Sequence, residues 1–136
     1  MFHFPFGVEF DTNKELTYDQ ILPSPYSSEG LKANTKVYFE EHNYKDSHCV
    51  FYSELAVNPE DSKKMLTSIL KNMGLNDKDF KAKLKKSKYE INDFNIYNYI
   101  YNPGVPLYIS NKREVIMDLD ENNNSRIDTI EIELID

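Results

Sequence analysis

Only one cysteine, Cys49, occurs among the 136 residues, so no intramolecular disulfide can form. That points to a reducing compartment. Tryptophan is absent, and four glycines and six prolines are too few for a fibrous or low-complexity chain. No apolar run extends beyond a few residues, so no membrane-spanning helix is expected. The opening stretch MFHFPFGVEFD has no basic n-region, no long apolar core and no small-residue cleavage site, so no signal peptide is expected. A cytoplasmic location follows as the expectation. A Ser-His-Asp order, a phosphate loop and a dinucleotide fingerprint are all missing, and nothing in the sequence pairs two carboxylates in a cleft. The expected protein is therefore not an enzyme.

What is present is enough for a core. Hydrophobic residues make up 40% of the chain, with ten tyrosines and eight phenylalanines. The length fits one domain over residues 1–136. The charge is uneven. Net charge is -7, and all of it falls in residues 114–136. There Glu114, Asp118, Asp120, Glu121, Asp128, Glu131, Glu133 and Asp136 face Arg126 alone, while the rest of the chain is neutral. Such a segment attracts cations or basic proteins and repels phosphate backbones.

Hydrophobic periodicity sets the expected elements. Residues 2–10 read as an edge strand around Pro5 and Gly7. Residues 11–35, with Pro23, Pro25 and Gly30, read as a long irregular connection with a short helix around Tyr18 to Leu22. Residues 36–43 and 48–57 form an expected β-hairpin joined by Tyr44 to Ser47. Asn58 caps a helix with Pro59 in its first position, and Met65, Leu66, Ile69, Leu70 and Met73 make one apolar stripe ending at Gly74. A second helix starts at Asn76 and ends among Lys81, Lys83, Lys85, Lys86 and Lys88. From Tyr89 the period returns to two, slipping near Asp93 in a way that suggests a bulge or a late strand start. Asn102-Pro103-Gly104 marks a turn. Residues 106–110, 113–120 and 127–135 read as strands, the first two separated by Asn111-Lys112. The expected class is α+β: a largely antiparallel sheet of five or six strands, with a helix pair over about residues 59–87 packed on one face.

The sharpest local pattern places oxygen side chains at positions 1, 3, 5, 9 and 12 of a twelve-residue stretch: Asp120, Asn122, Asn124, Asp128 and Glu131. It resembles the EF-hand calcium loop, since calcium takes six to eight oxygens and alternate residues of a tight loop aim them inward. Ser125 stands where that loop has its turn glycine, and the flanks read as strands. The simpler reading is a polar hairpin turn centred on Asn123 and Asn124. No cofactor is therefore expected, and calcium is the alternative.

Strand alternation gives the same segment a second meaning. If the apolar faces of the two strands coincide, Glu114, Asp118, Asp120, Glu131 and Glu133 line one outer face. Like charges across strands cost up to ~1 kcal/mol per pair unless a cation or basic partner neutralises them. Tyr97, Tyr99 and Tyr101 form an aromatic stripe at strand spacing, a residue type suited to interfaces. The lysines of residues 81–88 suit a solvated helix end, and without arginine there to read bases, nucleic acid is not the expected partner. His42, His48 and Cys49 lie close in sequence. His48 and Cys49, as strand neighbours, point to opposite faces and cannot share a proton.

An acidic segment, strand aromatics, small size and no visible chemistry together resemble the small cytoplasmic immunity proteins of bacterial toxin systems. The resemblance is one of class and rests on no family motif. It implies a non-enzymatic binding protein that neutralises a basic, nuclease-type toxin through its acidic C-terminal hairpin. The alternatives are a calcium-binding module on the loop from Asp120 to Glu131, and an enzyme whose site the sequence does not display.

Overall fold

Alternation with a period of two governs more of the chain than the sequence first suggests. The computed structural model describes residues 9, 11–74, 82, 84, 86–119 and 122–135. In it β1 (Leu16–Ser24), β2 (Ser27–Asn43), β3 (His48–Val57), β4 (Lys88–Ile100), β5 (Val105–Leu119) and β6 (Asn122–Glu133) build one sheet, with α1 (Pro59–Asn72) between β3 and β4. The strands lie side by side in chain order, each antiparallel to the next. Among the described residues, no helix is long and apolar enough to cross a membrane.

Helix α1 begins where its cap predicts. The Asn58 side chain accepts hydrogen bonds from the amides of Glu60 and Asp61, and Pro59 occupies the first turn. Two further bonds tie this end to β2: the Asn58 amide donates to the Lys32 carbonyl (2.7 Å), and the Lys32 amide donates to Asp61 Oδ2 (3.0 Å). Leu66 is buried and Met65 packs on Leu31, Ala33, Leu55 and Val57. Met73, at the end of the expected stripe, is exposed. The helix stops at Gly74, whose φ of +83° suits glycine. Of the expected second helix, residues 82, 84 and 86 are helical, Ser87 is not, Lys88 belongs to β4, and the rest lies outside the described residues. Among the described residues a helix pair is thus not seen; the helix over the sheet is α1.

From Leu16 onward, residues 11–35 are a strand hairpin, not an irregular connection, and Tyr18 to Leu22 belong to β1 and not to a helix. The prolines and Gly30 that suggested a loop are accommodated by position. Pro23 lies on an edge strand where the pairing shifts between Leu22 and Ser24, so its missing amide disrupts no regular ladder. Gly30 sits inside β2 at φ +74°, and a Cβ there would come within 2.6 Å of both Ile21 Cγ2 and the Leu22 carbonyl oxygen. The strand expected over residues 2–10 lies, Glu9 apart, outside the described residues.

The four-residue link Tyr44 to Ser47 between β2 and β3 is as expected, with Ser47 at φ 51°. The strands expected at 106–110 and 113–120 are one strand, β5. Asn111 and Lys112 do not turn the chain because each has a cross-strand partner: Asn111 bonds Asn95, and the Lys112 ammonium lies 5.9 Å from the centre of the Phe94 ring. Leu119 pairs with Asn122, so Asn123 and Asn124 lie within β6 and do not form the expected turn.

The pairing register divides every strand into an inner face, under α1, and an outer face. The inner face carries two apolar clusters. One is Leu31, Ala33, Leu55 and Val57 beneath Met65; the other is Val37, Cys49, Phe51, Tyr97, Tyr99 and Ile109. Phe51 and Tyr97 stack with ring centres 4.7 Å apart.

Candidate functional site

The phase slip near Asp93 has a cause other than a bulge. Strand β4 pairs with β3 without interruption through Leu55–Asp93 and Ser53–Asn95. Ile91, Asp93, Asn95, Tyr97 and Tyr99 therefore occupy successive inner positions, and two of them are polar. Across the sheet, Asp93 stands opposite Arg113, which stands opposite Asp128; one row along, Asn95 stands opposite Asn111, which stands opposite Ile130. Charges alternate in sign from β4 to β6, the arrangement that favours cross-strand pairing.

The contacts in this ladder are close. Arg113 donates from Nε and a terminal nitrogen to the two oxygens of Asp93, both at 2.7 Å. Such a bidentate pair is the strong form of a charge-assisted bond. The Asp93 side chain is 3% exposed and that of Arg113 48%, so the carboxylate depends on the guanidinium more than the reverse. The hydrogen bond to Asp93 raises the already high pKa of Arg113. Asn111 donates to Asn95 Oδ1 (2.6 Å). Arg126 bonds Asp128 two residues along the same strand, at 2.9–3.0 Å. Asn95, Tyr97, Ile109, Asn111, Arg113, Asp128 and Ile130 line an open recess of about 360 Å³. Burial pushes the Tyr97 phenol up to about 12, with Tyr99, Tyr18 and Asp93 adding to the shift.

The outer face is different in kind. Tyr38 donates to Glu54 (2.9 Å), Tyr52 to Glu40, and Tyr108 to Glu131 (2.9 Å), while the Tyr38 and Tyr52 rings stack 5.3 Å apart. Partial burial and the adjacent Glu54 raise the Tyr38 pKa; the bond to Glu40 raises that of Tyr52. The register puts Tyr108, Ser110, Lys112, Glu114, Ile116 and Asp118 on the same face as Ile127, Thr129, Glu131 and Glu133.

Glu114, Asp118, Glu131 and Glu133 therefore do share one face, as expected, but not as one cluster. Glu133 and Glu131 stand opposite Tyr108 and Ser110; Glu114 and Asp118 lie further along β5, beyond Lys112. Asp120 is outside the described residues. The tyrosine stripe is split. Tyr97 and Tyr99 are core residues, 2% and 7% exposed, and only Tyr101 is at the surface, stacked on the His42 ring at 5.3 Å. Tyr97 and Tyr99 are thus not surface anchors; Tyr108, on the acidic face, is the aromatic that sequence reading passed over.

The putting together of Asn122, Asn124, Asp128 and Glu131 with Asp120 as a calcium loop does not match the backbone. Residues 122–131 are extended in β6, and Asp128 and Glu131 project to opposite faces of the sheet, inner and outer. Asn124 pairs with Met117 on the inner face. Among the described residues, no three His, Cys, Asp or Glu side chains are grouped to hold a metal ion. His48 bonds Asn98 (2.7 Å) on the outer face while Cys49 is buried on the inner one, so the two are separated as their sequence adjacency implies. Burial raises the Cys49 thiol pKa.

Asp93, Asn95, Asn111 and Arg113 were the residues that sequence reading missed. Their signal was the phase itself. Continuing inner positions from Ile91 to Tyr97, and from Ile109 to Val115, passes through all four. Compared with known proteins, the chain matches no family model, no curated sequence and no solved structure.

Proposed function

We propose that this is a non-enzymatic binding protein that docks on a basic protein through the outer face of β5 and β6. The observation that carries the reading is the row of outward carboxylates Glu114, Asp118, Glu131 and Glu133, with Glu131 held by Tyr108. Lys112 is the cation between them on that face, and it lies over Phe94. A carboxylate already fixed by a tyrosine hydroxyl loses little freedom when it meets Arg or Lys, and the tyrosine ring supplies contact area beside it. The Tyr38–Glu54 and Tyr52–Glu40 pairs extend the same chemistry across β2 and β3. Partner class follows from charge: a cationic surface, of which a nuclease-type toxin is the example that the likeness to immunity proteins suggests.

Long-range attraction of this kind accelerates encounter and weakens with salt. Capture from the native cytoplasm, or against a toxin domain encoded beside this gene, recovers a basic partner. The double reversal Asp118→Lys with Glu131→Lys slows association and flattens its salt dependence, with the circular dichroism spectrum unchanged. Unchanged association at low salt would show the acidic face to be only a solvated surface.

A further inference from the structure

The two edges of the sheet are guarded unequally, and the geometry points to a second copy of this chain pairing along the less guarded one, β6 to β6, antiparallel and centred on Ile127. Edge strands template further pairing, and natural sheets block it with short strands, proline, charged side chains, inward-pointing charges or bulges. The β1 edge has Pro23 and a register shift beside it. The β6 edge runs twelve residues with no proline, no lysine and no shift against β5. Its inward-pointing charges, Arg126 and Asp128, are of opposite sign, so they block registers that set like charges together but not one that pairs them. Its apolar side chains are open: Ile127, Ile130 and Ile132 are all exposed, although they belong to a regular strand. Among the described residues, nothing pairs with its outer side.

Backbone direction identifies which groups are offered. The Leu134 amide donates to the Leu107 carbonyl, so amides at even positions of β6 turn toward β5. Those of Ile127, Thr129, Glu131 and Glu133 then turn to the free edge. A two-fold axis perpendicular to the sheet is the symmetry that joins two such edges antiparallel, and it sets inner positions against inner positions. Charge then selects the register. Centring on Ile127 sets Arg126 opposite Asp128 of the second copy, and Asp128 opposite its Arg126. Centring on Asp128 would set that carboxylate against itself. Centring on Thr129 would leave Arg126 facing Ile132. The one cation of β6 thus meets a carboxylate twice in a single register. Within one copy Arg126 already bonds Asp128, and with the two side chains 77% and 48% exposed the pair can extend across the axis into a network of four charges. The outer and inner faces stay open in this arrangement.

The full chain is expected to sediment as a dimer in analytical ultracentrifugation. Thr129→Pro removes an amide that the β5–β6 ladder does not use and gives a monomer with an unchanged circular dichroism spectrum. Arg126→Asp weakens dimerisation roughly tenfold or more, as two cross-strand pairs turn repulsive at once. Ile127→Cys reads the register without disturbing the charges. A hydrogen-bonded pair on the axis holds its Cα atoms about 5.5 Å apart, within disulfide reach, so mild oxidation links the copies at residue 127. A wild-type chain that stays monomeric at its highest soluble concentration would overturn the inference. So would a Thr129→Pro protein that remains folded and dimeric, or an Ile127→Cys dimer that does not cross-link.

Discussion

The inner face of the sheet is built by two different rules. Over β2 and β3 it is aliphatic, with Leu31, Ala33, Leu55 and Val57 closed off by α1 through Met65. Over β4 and β5, Asp93, Asn95, Asn111 and Arg113 take the inner positions between the apolar pairs Ile91–Val115 and Tyr97–Ile109, in the rows of Leu55 and Ser53. The first half is held by water exclusion, which is indifferent to direction and tolerates similar shapes. The second is held by directed pairs, which fix one register but leave a buried carboxylate if one partner goes. A six-stranded sheet can thus take its stability from one half and its specificity of pairing from the other.

The sharpest way to break this comparison is to remove one partner from each half. Arg113→Ala strands the nearly buried Asp93 carboxylate and is expected to cost about 3–5 kcal/mol in denaturant unfolding. Asp93→Ala should cost less, because the half-exposed guanidinium of Arg113 can turn to water. The double variant should recover part of the Arg113→Ala loss, giving a coupling on the order of 1–3 kcal/mol. Equal costs for the two single changes would show that burial of Asp93 is not what makes the pair one-sided. On α1, Leu66→Ala removes a buried side chain and is expected to cost about 3 kcal/mol. No second change in the aliphatic half should recover it, since no charge is stranded.

Titration separates the halves as well. The Tyr97 pKa is raised above its ordinary value of 10 to about 12 by burial. Folding therefore favours the neutral phenol; that stability is complete below pH 10 and is lost as pH rises from 10 toward 12. Chemical denaturation across that window should show the loss, reduced in Tyr97→Phe. At the α1 end the sign reverses. The Lys32 amide holds the Asp61 pKa below its ordinary 3.8. The contribution is present above pH 3.8 and is lost as pH falls below it, and Asp61→Asn should flatten the acid limb of the stability curve. The smallest expected effect is at Ser62, whose fully buried hydroxyl has no hydrogen-bond partner among the described residues. Ser62→Ala should be neutral or stabilise by up to about 1 kcal/mol, because it removes a desolvated polar group that no described residue satisfies.

Legibility in the sequence followed the same division. Where the inner face is apolar, the pattern could be read directly: residues 48–57, the capped helix from Pro59, and the return to period two at Tyr89 all fall where expected. Where polar residues take inner positions, the pattern was misread. Asp93 and Asn95 looked like a change of phase, and Asn111-Lys112 looked like a turn, because their partners lie 16–20 residues away and local pattern does not see them. Residues 11–35 failed for another reason. Leu31, Ala33, Thr35 and Val37 alternate clearly, but Pro23, Pro25 and Gly30 outweighed them; Pro23 is accommodated at an edge, Pro25 in the turn between β1 and β2, and Gly30 by a positive φ. The shared outer face of Glu114, Asp118, Glu131 and Glu133 was legible because strand alternation alone determines it. The burial of Tyr97 and Tyr99 was not, because alternation assigns a face but does not say which face is covered.

The strand order has a consequence for how the chain finds this structure. Every strand pairs with its neighbour in sequence, so each ladder closes through a hairpin except β3 to β4, where α1 intervenes. The entropy of loop closure is then small at four of five steps, which favours rapid zippering from either side. The slow step is expected at the β3–β4 junction, the point at which Leu55 must come opposite Asp93 and α1 must settle on the sheet. Two three-stranded units that form early and dock late would make local opening at this seam the lowest-energy excursion of the native protein.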